Sequence, residues 1–292
     1  MVDILEVRDL RKAYRGFTLD GVSLAVPRGY IMGLIGPNGA GKTTTIKILM
    51  NMIRADGGEV HIFGLTHRES EREIKSRVGY VGEEQYFYMD KRVAWTGRFV
   101  SQYFERWDAT RFAKLLDDFG IDPKKKIKSL SKGQKVKLSL AIALSHDPEL
   151  LILDEPTAGL DPVIRRDVLD MLMRFRDDGE RSVLISSHIT DDIMRIADYV
   201  AFIVEGRIAI NAEKDEIMAN WKKIHFRDGA IDSSIVSSLA NVGRHTFGCS
   251  GITDRYGELR EALAPAVTAG DVKVENVSLD DVLIAFVKGG KR

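Results

Sequence analysis

The chain has 292 residues, enough for one large domain and a small one, and its 43 lysines and arginines balance 43 aspartates and glutamates. That neutrality argues against a nucleic-acid footprint built on bulk charge, so no nucleic-acid partner is expected. A single cysteine, Cys249, excludes an internal disulfide and fits a reducing compartment, and six scattered histidines lack the spacing of a metal site.

The first residues, Met1-Val2-Asp3-Ile4-Leu5-Glu6, read as an acidic strand and not as a signal peptide. No apolar run approaches the roughly 20 residues that cross a bilayer, so the chain is expected to be soluble. From about residue 4 to 30 the pattern alternates as in strands, with Val22, Leu24 and Val26 on one side. Tyr30-Ile31-Met32-Gly33-Leu34-Ile35 reads as a buried strand and Thr44 to Met50 as the first turns of a helix. Short strands follow at residues 58–64 and 78–81. From Val93 to Ser145 the spacing becomes helical, with Phe99, Val100, Tyr103 and Phe104 three to four apart. Leu150–Leu153 and Ser182–Ser186 are continuous runs of the kind buried in parallel sheets. Between them a helix opens at Asp161-Pro162, aspartate as N-cap and proline in the first position, and stops near Gly179. Val200 to Ile210 reads as a hairpin turning at Glu205-Gly206.

Past about residue 212 the texture changes. A helix is expected from Lys214 to Trp221, a strand at Ile224-His225-Phe226, and a capped amphipathic helix from Ser278 to Phe286. The expected organisation is an α/β core over residues 1–211, with a helical insert at about 86–148, and a small α+β accessory domain over 212–292.

The strand and helix at residues 30–50 flank Gly36-Pro37-Asn38-Gly39-Ala40-Gly41-Lys42-Thr43, which fits G-x-x-x-x-G-K-[ST] at every fixed position. Glycines let successive N–H groups turn toward phosphate oxygens, and the helix start adds its positive end. Lys42 would reach the β- and γ-phosphates, and the Thr43 hydroxyl would ligate Mg²⁺. The next strand of interest, Leu150–Leu153, ends in Asp154-Glu155, where parallel sheets place their ligands. Asp154 would hold the Mg²⁺ shell and Glu155 would polarise the attacking water. Leu130-Ser131-Lys132-Gly133-Gln134 precedes a clear helix start and offers a second anion-binding end. One nucleotide needs only one such end, so the second would serve a nucleotide held by another copy.

At this point the chain resembles the ABC transporter ATPases. Gly36–Thr43 looks like their Walker A motif, Leu150–Asp154 like Walker B and Leu130–Gln134 like the signature loop. Ala158-Gly159-Leu160-Asp161 is similar to the family's D-loop, and His188 in Ser186-Ser187-His188 to its H-loop histidine. Tyr14 sits where the family places an aromatic that stacks on adenine. Thr157–Pro162 and Val277–Val282 resemble ATPase subunits of bacterial drug, antibiotic and lipid exporters.

The resemblance implies a P-loop NTPase core with an antiparallel β subdomain and an inserted helical subdomain. It implies a head-to-tail dimer that binds ATP and Mg²⁺ through residues 36–43 with Thr44, covered by Ser131, Lys132, Gly133, Gln134 and Asp161 of the other copy. His188 would bond the γ-phosphate. The partners implied are a second copy or a related ATPase and an integral membrane transport subunit, more often an exporter. The chain would lie on the cytoplasmic face of the membrane. An ABC-type ATPase acting outside transport, such as in cluster assembly, is the alternative. The aromatic stretch Tyr86 to Trp107 would either receive the membrane subunit or form the core of the insert.

Two positions depart from the family pattern. Lys132 stands where the signature usually has glycine; it carries strain if φ is positive there, and otherwise adds charge near the partner's nucleotide. The Q-loop register selects Glu83, with Gln85 two residues late, and either would supply an oxygen to Mg²⁺.

Overall fold

The computed structural model describes residues 2–245 and 248–289. The chain divides into a larger unit up to Ile210 and a smaller one from Asn211. In the larger unit β1 (Asp3–Tyr14), β2 (Phe17–Pro27), β3 (Ile31–Ile35), α1 (Lys42–Leu49), β4 (Gly57–Ile62), α2 (His67–Arg77) and β5 (Val78–Val81) come first. The insert follows as α3 (Val93–Ser101), α4 (Ala109–Asp118) and α5 (Lys132–Leu144), with a single 3₁₀ turn before α5. Then come β6 (Leu150–Asp154), α6 (Pro162–Arg176), β7 (Ser182–Ser187), α7 (Thr190–Ile196), β8 (Tyr199–Val204) and β9 (Arg207–Glu213).

Two sheets share one core. β2-β1-β4 is antiparallel, and β5-β6-β7-β3-β8-β9 runs parallel from β5 through β8. The central strands β3, β6 and β7 are buried at every position, as expected of parallel strands covered on both faces. Leu5, Leu10, Leu19 and Val22 of the antiparallel sheet join Met32, Leu34, Ile152 and Leu184 in one apolar cluster. Register decides the site: Ile35 is level with Ser187, and Asp154 with Ser186. The three strands therefore end side by side.

The insert keeps its own small core of Val93, Phe112, Leu116, Ile127 and Leu138. Tyr103 and Phe104 lie beyond α3, which ends at Ser101, so the helical spacing read over them continues one turn too far. Asp147, at the return to the sheet, takes Arg106 and Arg111 from the insert side and Arg181 at the start of β7. Such half-exposed pairs are each worth about 1 kcal/mol or less.

In the smaller unit the order is α8 (Lys214–Asn220), β10 (Lys222–Phe226), α9 (Ser233–Ser238), β11 (Ala240–His245), β12 (Gly248–Thr253), α10 (Tyr256–Thr268), β13 (Val272–Asn276) and α11 (Leu279–Gly289). The sheet order β11-β12-β10-β13 with antiparallel neighbours is a split β-α-β arrangement. Ile224, Phe226, Leu239, Leu263 and Val272 fill it. Ser278 opens α11 as a cap: its hydroxyl accepts from Asp281 N, and Asp281 accepts from Ser278 N. Residues 232–251, rich in serine and glycine, hold α9, β11 and most of β12 among the described residues.

His146 lies at the seam of insert and sheet, 2% exposed, its ring stacked on Phe104 at 4.0 Å. Burial lowers its pKa from 6.5 to about 4, outweighing backbone hydrogen bonds that act upward. Between those values the unfolded chain binds a proton that the folded chain excludes, so stability falls as the pH falls through that window. The loss approaches on the order of 3 kcal/mol at the lower end. His146→Phe keeps the stack and removes the titration. Urea unfolding at about pH 7 and about pH 4.5 should show the variant losing about 2 kcal/mol less than the parent.

Candidate functional site

β3 stops at Ile35 and α1 begins at Lys42, so residues 36–41 form the turn between a buried strand and a helix. Gly41 caps the helix at φ 115°, and a Cβ there would meet Leu19 Cδ2 at 2.5 Å and Phe17 Cζ at 3.0 Å. Ala40 N donates to Pro37 O at 3.1 Å and closes the turn. Gly36 leaves room for the Ile203 carbonyl, which a Cβ would meet at 2.3 Å. The resulting cleft, about 470 Å³, is lined by Phe17, Asn38, Gly39, Gly41, Lys42, Thr43 and Thr44 on one side and by Glu83, Glu155 and His188 on the other.

Lys42 and Glu155 form a buried pair. The ammonium donates to the carbonyls of Gly36 at 2.8 Å and Pro37 at 3.3 Å and lies 3.1 Å from Glu155 Oε1. That last contact is an ion pair without hydrogen-bond alignment. Glu155 Oε2 takes His188 Nδ1 at 2.8 Å and the His188 amide at 3.3 Å. With Nδ1 carrying its proton, the remaining ring nitrogen is free to serve the cleft. Removing either charge of a buried pair typically costs 3–5 kcal/mol, so the two positions are interdependent.

Glu155 has φ 49°, a left-handed conformation disfavoured for a residue with a Cβ. Ser186 holds it there. Glu155 N donates to Ser186 Oγ at 3.0 Å and to Ser186 O at 3.2 Å, while the Ser186 hydroxyl donates to Asp154 Oδ1 at 2.6 Å. One buried serine thus aims two adjacent carboxylates in different directions. Tyr80, on the neighbouring strand β5, has its pKa pushed up to about 12, first by burial and next by the Asp154 charge. It therefore stays a neutral hydroxyl beside that carboxylate.

Glu83 lines the cleft and Gln85 does not; its amide turns back to the carbonyls of Gly82 at 3.0 Å and Glu83 at 3.2 Å. Tyr14 is exposed opposite Phe17 in the β1–β2 hairpin, with Lys12 Nζ 5.6 Å from its ring centroid. Phe17 and not Tyr14 lines the cleft.

Ser131 and Asp161 lie apart from that cleft as exposed helix caps. Ser131 Oγ accepts from Gln134 N at 3.2 Å and Gln134 Oε1 accepts from Ser131 N at 3.1 Å, a reciprocal capping box on α5. Asp161 Oδ1 accepts from Val163 N and Ile164 N, both at 3.1 Å. Lys132 is the first residue of α5 and is not among the positive-φ residues, so lysine carries no backbone strain there. Its Nζ lies 2.8 Å from where a Cβ on Gly159 would stand.

A family model described as ABC transporter matches residues 19–158. The lantibiotic transport ATP-binding protein SrtF of Streptococcus pyogenes is 34% identical over 215 residues, covering 73% of this chain and 92% of SrtF. The chain belongs to the ABC transporter ATP-binding family. The bacitracin transport ATP-binding protein BcrA of Bacillus licheniformis is 28% identical over 303 residues and covers 99% of both chains, the smaller unit included. A solved structure described as an ATP-binding subunit of an ABC transporter is 27% identical, with a TM-score of 0.68, and covers 74% of this chain and 92% of its own. As a member of this family, the chain is an ATPase and ATP is its ligand. Neither Ser186 nor Phe17 stands out in this ATPase's sequence as a site residue. A hint for Ser186 is its polarity at the end of an otherwise apolar strand.

Gly133 has a packing reason for being glycine in this ABC ATPase. A Cβ would meet Ile164 Cδ1 at 2.7 Å and Cγ2 at 3.1 Å, so α5 approaches α6 only without a side chain here. Gly133→Ala should destabilise by about 1–3 kcal/mol. Adding Ile164→Val, which removes Cδ1, should recover part of that, read by thermal unfolding. Lost turnover in Gly133→Ala at unchanged stability would place the role of Gly133 at a nucleotide instead.

Proposed function

We propose that this ATPase works as a head-to-tail dimer and drives a separate membrane-spanning transport subunit, in the direction of export. The observation that carries the reading is the Glu155 carboxylate, bracketed by Lys42 and His188 at the mouth of the phosphate loop. Glu155 acts as the base toward water, and His188 takes the γ-phosphate. Lys42 moves its charge to the β- and γ-phosphates, with backbone N–H groups of residues 36–44 cradling them. Phe17 or Tyr14, at the end of one hairpin, offers a ring to adenine.

The donor set suits Mg²⁺. Thr43 lines the cleft, Ser186 engages only one of the Asp154 oxygens, and Glu83 faces the same space. No group of three or more metal-type ligands occurs among the described residues, so the ion would take most of its shell from phosphate and water, as Mg²⁺ commonly does. Bound there, it would neutralise charge on the transferring phosphoryl group.

Ser131, Lys132, Gly133, Gln134 and Asp161 meet the nucleotide of the other copy in this arrangement. Exposure of both capped helix ends supports it. For the membrane subunit the supporting feature is an aromatic ladder: Tyr88 against Trp95 at 5.6 Å, Trp95 stacked on Phe99 at 5.1 Å, and Phe99 against Tyr103 at 5.6 Å. Tyr88 and Tyr103 are exposed, and Tyr103 borders a groove of about 970 Å³ along α2. Phe87 and Trp107 pack instead into the insert's core. The aromatic stretch therefore divides residue by residue. No described helix is long and apolar enough to cross a membrane, so a spanning partner would carry the cargo and the chain would sit at the cytoplasmic membrane face. The printed names of SrtF and BcrA concern lantibiotic and bacitracin transport, and outward movement of such a compound is the proposed direction.

Glu155→Gln should keep the contact with His188 and ATP binding, lower turnover at least about 100-fold and elute as an ATP-dependent dimer. Turnover at the parent's rate would remove Glu155 as the base. In parallel, Glu83→Ala should alter the Mg²⁺ concentration for half-maximal turnover, whereas Gln85→Ala should leave it unchanged.

A further inference from the structure

Asp192 is a charged side chain that none of the motifs uses, and it is only 2% exposed. It lies on α7, four residues after His188. Its two oxygens go to different segments: Oδ2 accepts from Thr157 Oγ1 at 2.6 Å, and Oδ1 pairs with Arg165 Nε at 2.5 Å. Thr157 is fully buried two residues after Glu155, and Arg165 is in the first turn of α6, four residues after Asp161. α7 itself is seated on the sheet, with Ile193 filling the space over Gly33 of β3.

We propose that Asp192 is a positioning residue for ATP hydrolysis. A single carboxylate pins the 158–164 segment, the turn and the first residues of α6, at both ends and ties it to the helix that follows His188. Between those anchors the loop is exposed: Gly159 takes φ 67°, Asp161 points outward as a cap and Val163 is 72% exposed. Backbone bonds at the near end, Ala158 N to Glu155 O and Leu160 N to Thr157 O, carry the anchorage back to the base. Movement of the exposed loop on meeting a second copy is thereby transmitted to the turn bearing Glu155 and to α7 behind His188. Geometry at the cleft and geometry at the dimer face are set together. An uncharged isostere would keep the volume and loosen this linkage, because Arg165 would lose its counter-charge.

The inference rests on the roles proposed above for Glu155 and the exposed loop. Asp192→Asn should bind a fluorescent ATP analogue within about threefold of the parent while kcat falls tenfold to about a hundredfold. Thr157→Val, which keeps volume and drops the hydroxyl, should shift kcat in the same direction by less, and Thr157→Ser should restore it. Unchanged kcat in Asp192→Asn overturns the proposal. So does a fall in nucleotide affinity and melting temperature that accounts for the lost turnover, since that is a merely structural effect. In the Glu155→Gln background, adding Asp192→Asn should raise the ATP concentration needed for dimer formation. A Glu155→Gln chain that dimerises with ATP equally well with and without Asp192→Asn sinks the proposal and leaves the dimer reading standing. Parent-rate turnover by Glu155→Gln alone sinks the assignment of the base, while the kcat of Asp192→Asn still decides the linkage.

Discussion

The buried contact between Lys42 and Glu155 is what the rest of this molecule is arranged around. An ammonium and a carboxylate, each about 5% exposed, tolerate such withdrawal from water only as a pair. The two residues follow different strands, Lys42 at the start of α1 after β3 and Glu155 just after β6, so their meeting is a statement about the sheet. β3 and β6 never touch each other; β7 lies between them and sets the depth of both, with Ile35 level with Ser187 and Asp154 level with Ser186. A slip of one residue in either ladder would turn the carboxylates to the opposite face. All-round burial of the three strands forbids that slip, because each alternate register would move the polar Ser186, Ser187 or Asp154 into apolar surroundings with its partners lost.

Ser186 converts this register into chemistry. Asp154 and Glu155 are adjacent carboxylates that differ by one methylene, a difference that does not decide which of them reaches the cleft. The serine hydroxyl donates to the first and accepts from the amide of the second. The chain must turn through a left-handed residue at Glu155 to satisfy both bonds. Strain on the order of 1–2 kcal/mol at that residue is offset by two hydrogen bonds made in a buried, low-dielectric place. The outcome is two carboxylates aimed apart, Asp154 with one oxygen on Ser186 and Glu155 delivered to the cleft.

Features that depend on neighbours in sequence were legible. The spacing of residues 36–43 predicts the turn between strand and helix, the Asp161-Pro162 start predicts a capped helix, the helix start after Ser131 predicts α5, and apolar runs predict β6 and β7. These are local effects, set within four residues. What escaped the sequence depends on distant approach. Gly133 is required by Ile164 on another helix, Phe17 reaches the cleft only because a hairpin folds over the phosphate loop, and Asp192 acquires meaning from Thr157 and Arg165. The Glu83 and Gln85 alternatives differ by two residues, which returns a side chain to the same face in a strand. Only the turn after β5, where Gln85 bonds its own loop, separates them. The question of strain at Lys132 likewise resolved through context, since helical torsions begin there and no left-handed residue is needed.

The same local rigidity bears on how two copies would meet. A surface that must be ordered on association loses side-chain and loop entropy, of order 0.5–1.5 kcal/mol for each immobilised side chain. Ser131 and Asp161 are exposed yet already fixed, one by a reciprocal box with Gln134 and the other by two backbone amides. Their oxygens are held before any partner arrives. Lys132, by contrast, ends beside Gly159 on a long flexible stem, so it links the two exposed segments without stiffening either. In the proposed dimer the rigid caps would supply geometry and the Lys132 ammonium would supply charge. That division accounts for a lysine where the resemblance leads one to expect glycine: helical torsions begin at Lys132, so a Cβ is tolerated there, and in the proposed dimer the extra charge would face the other copy's phosphates.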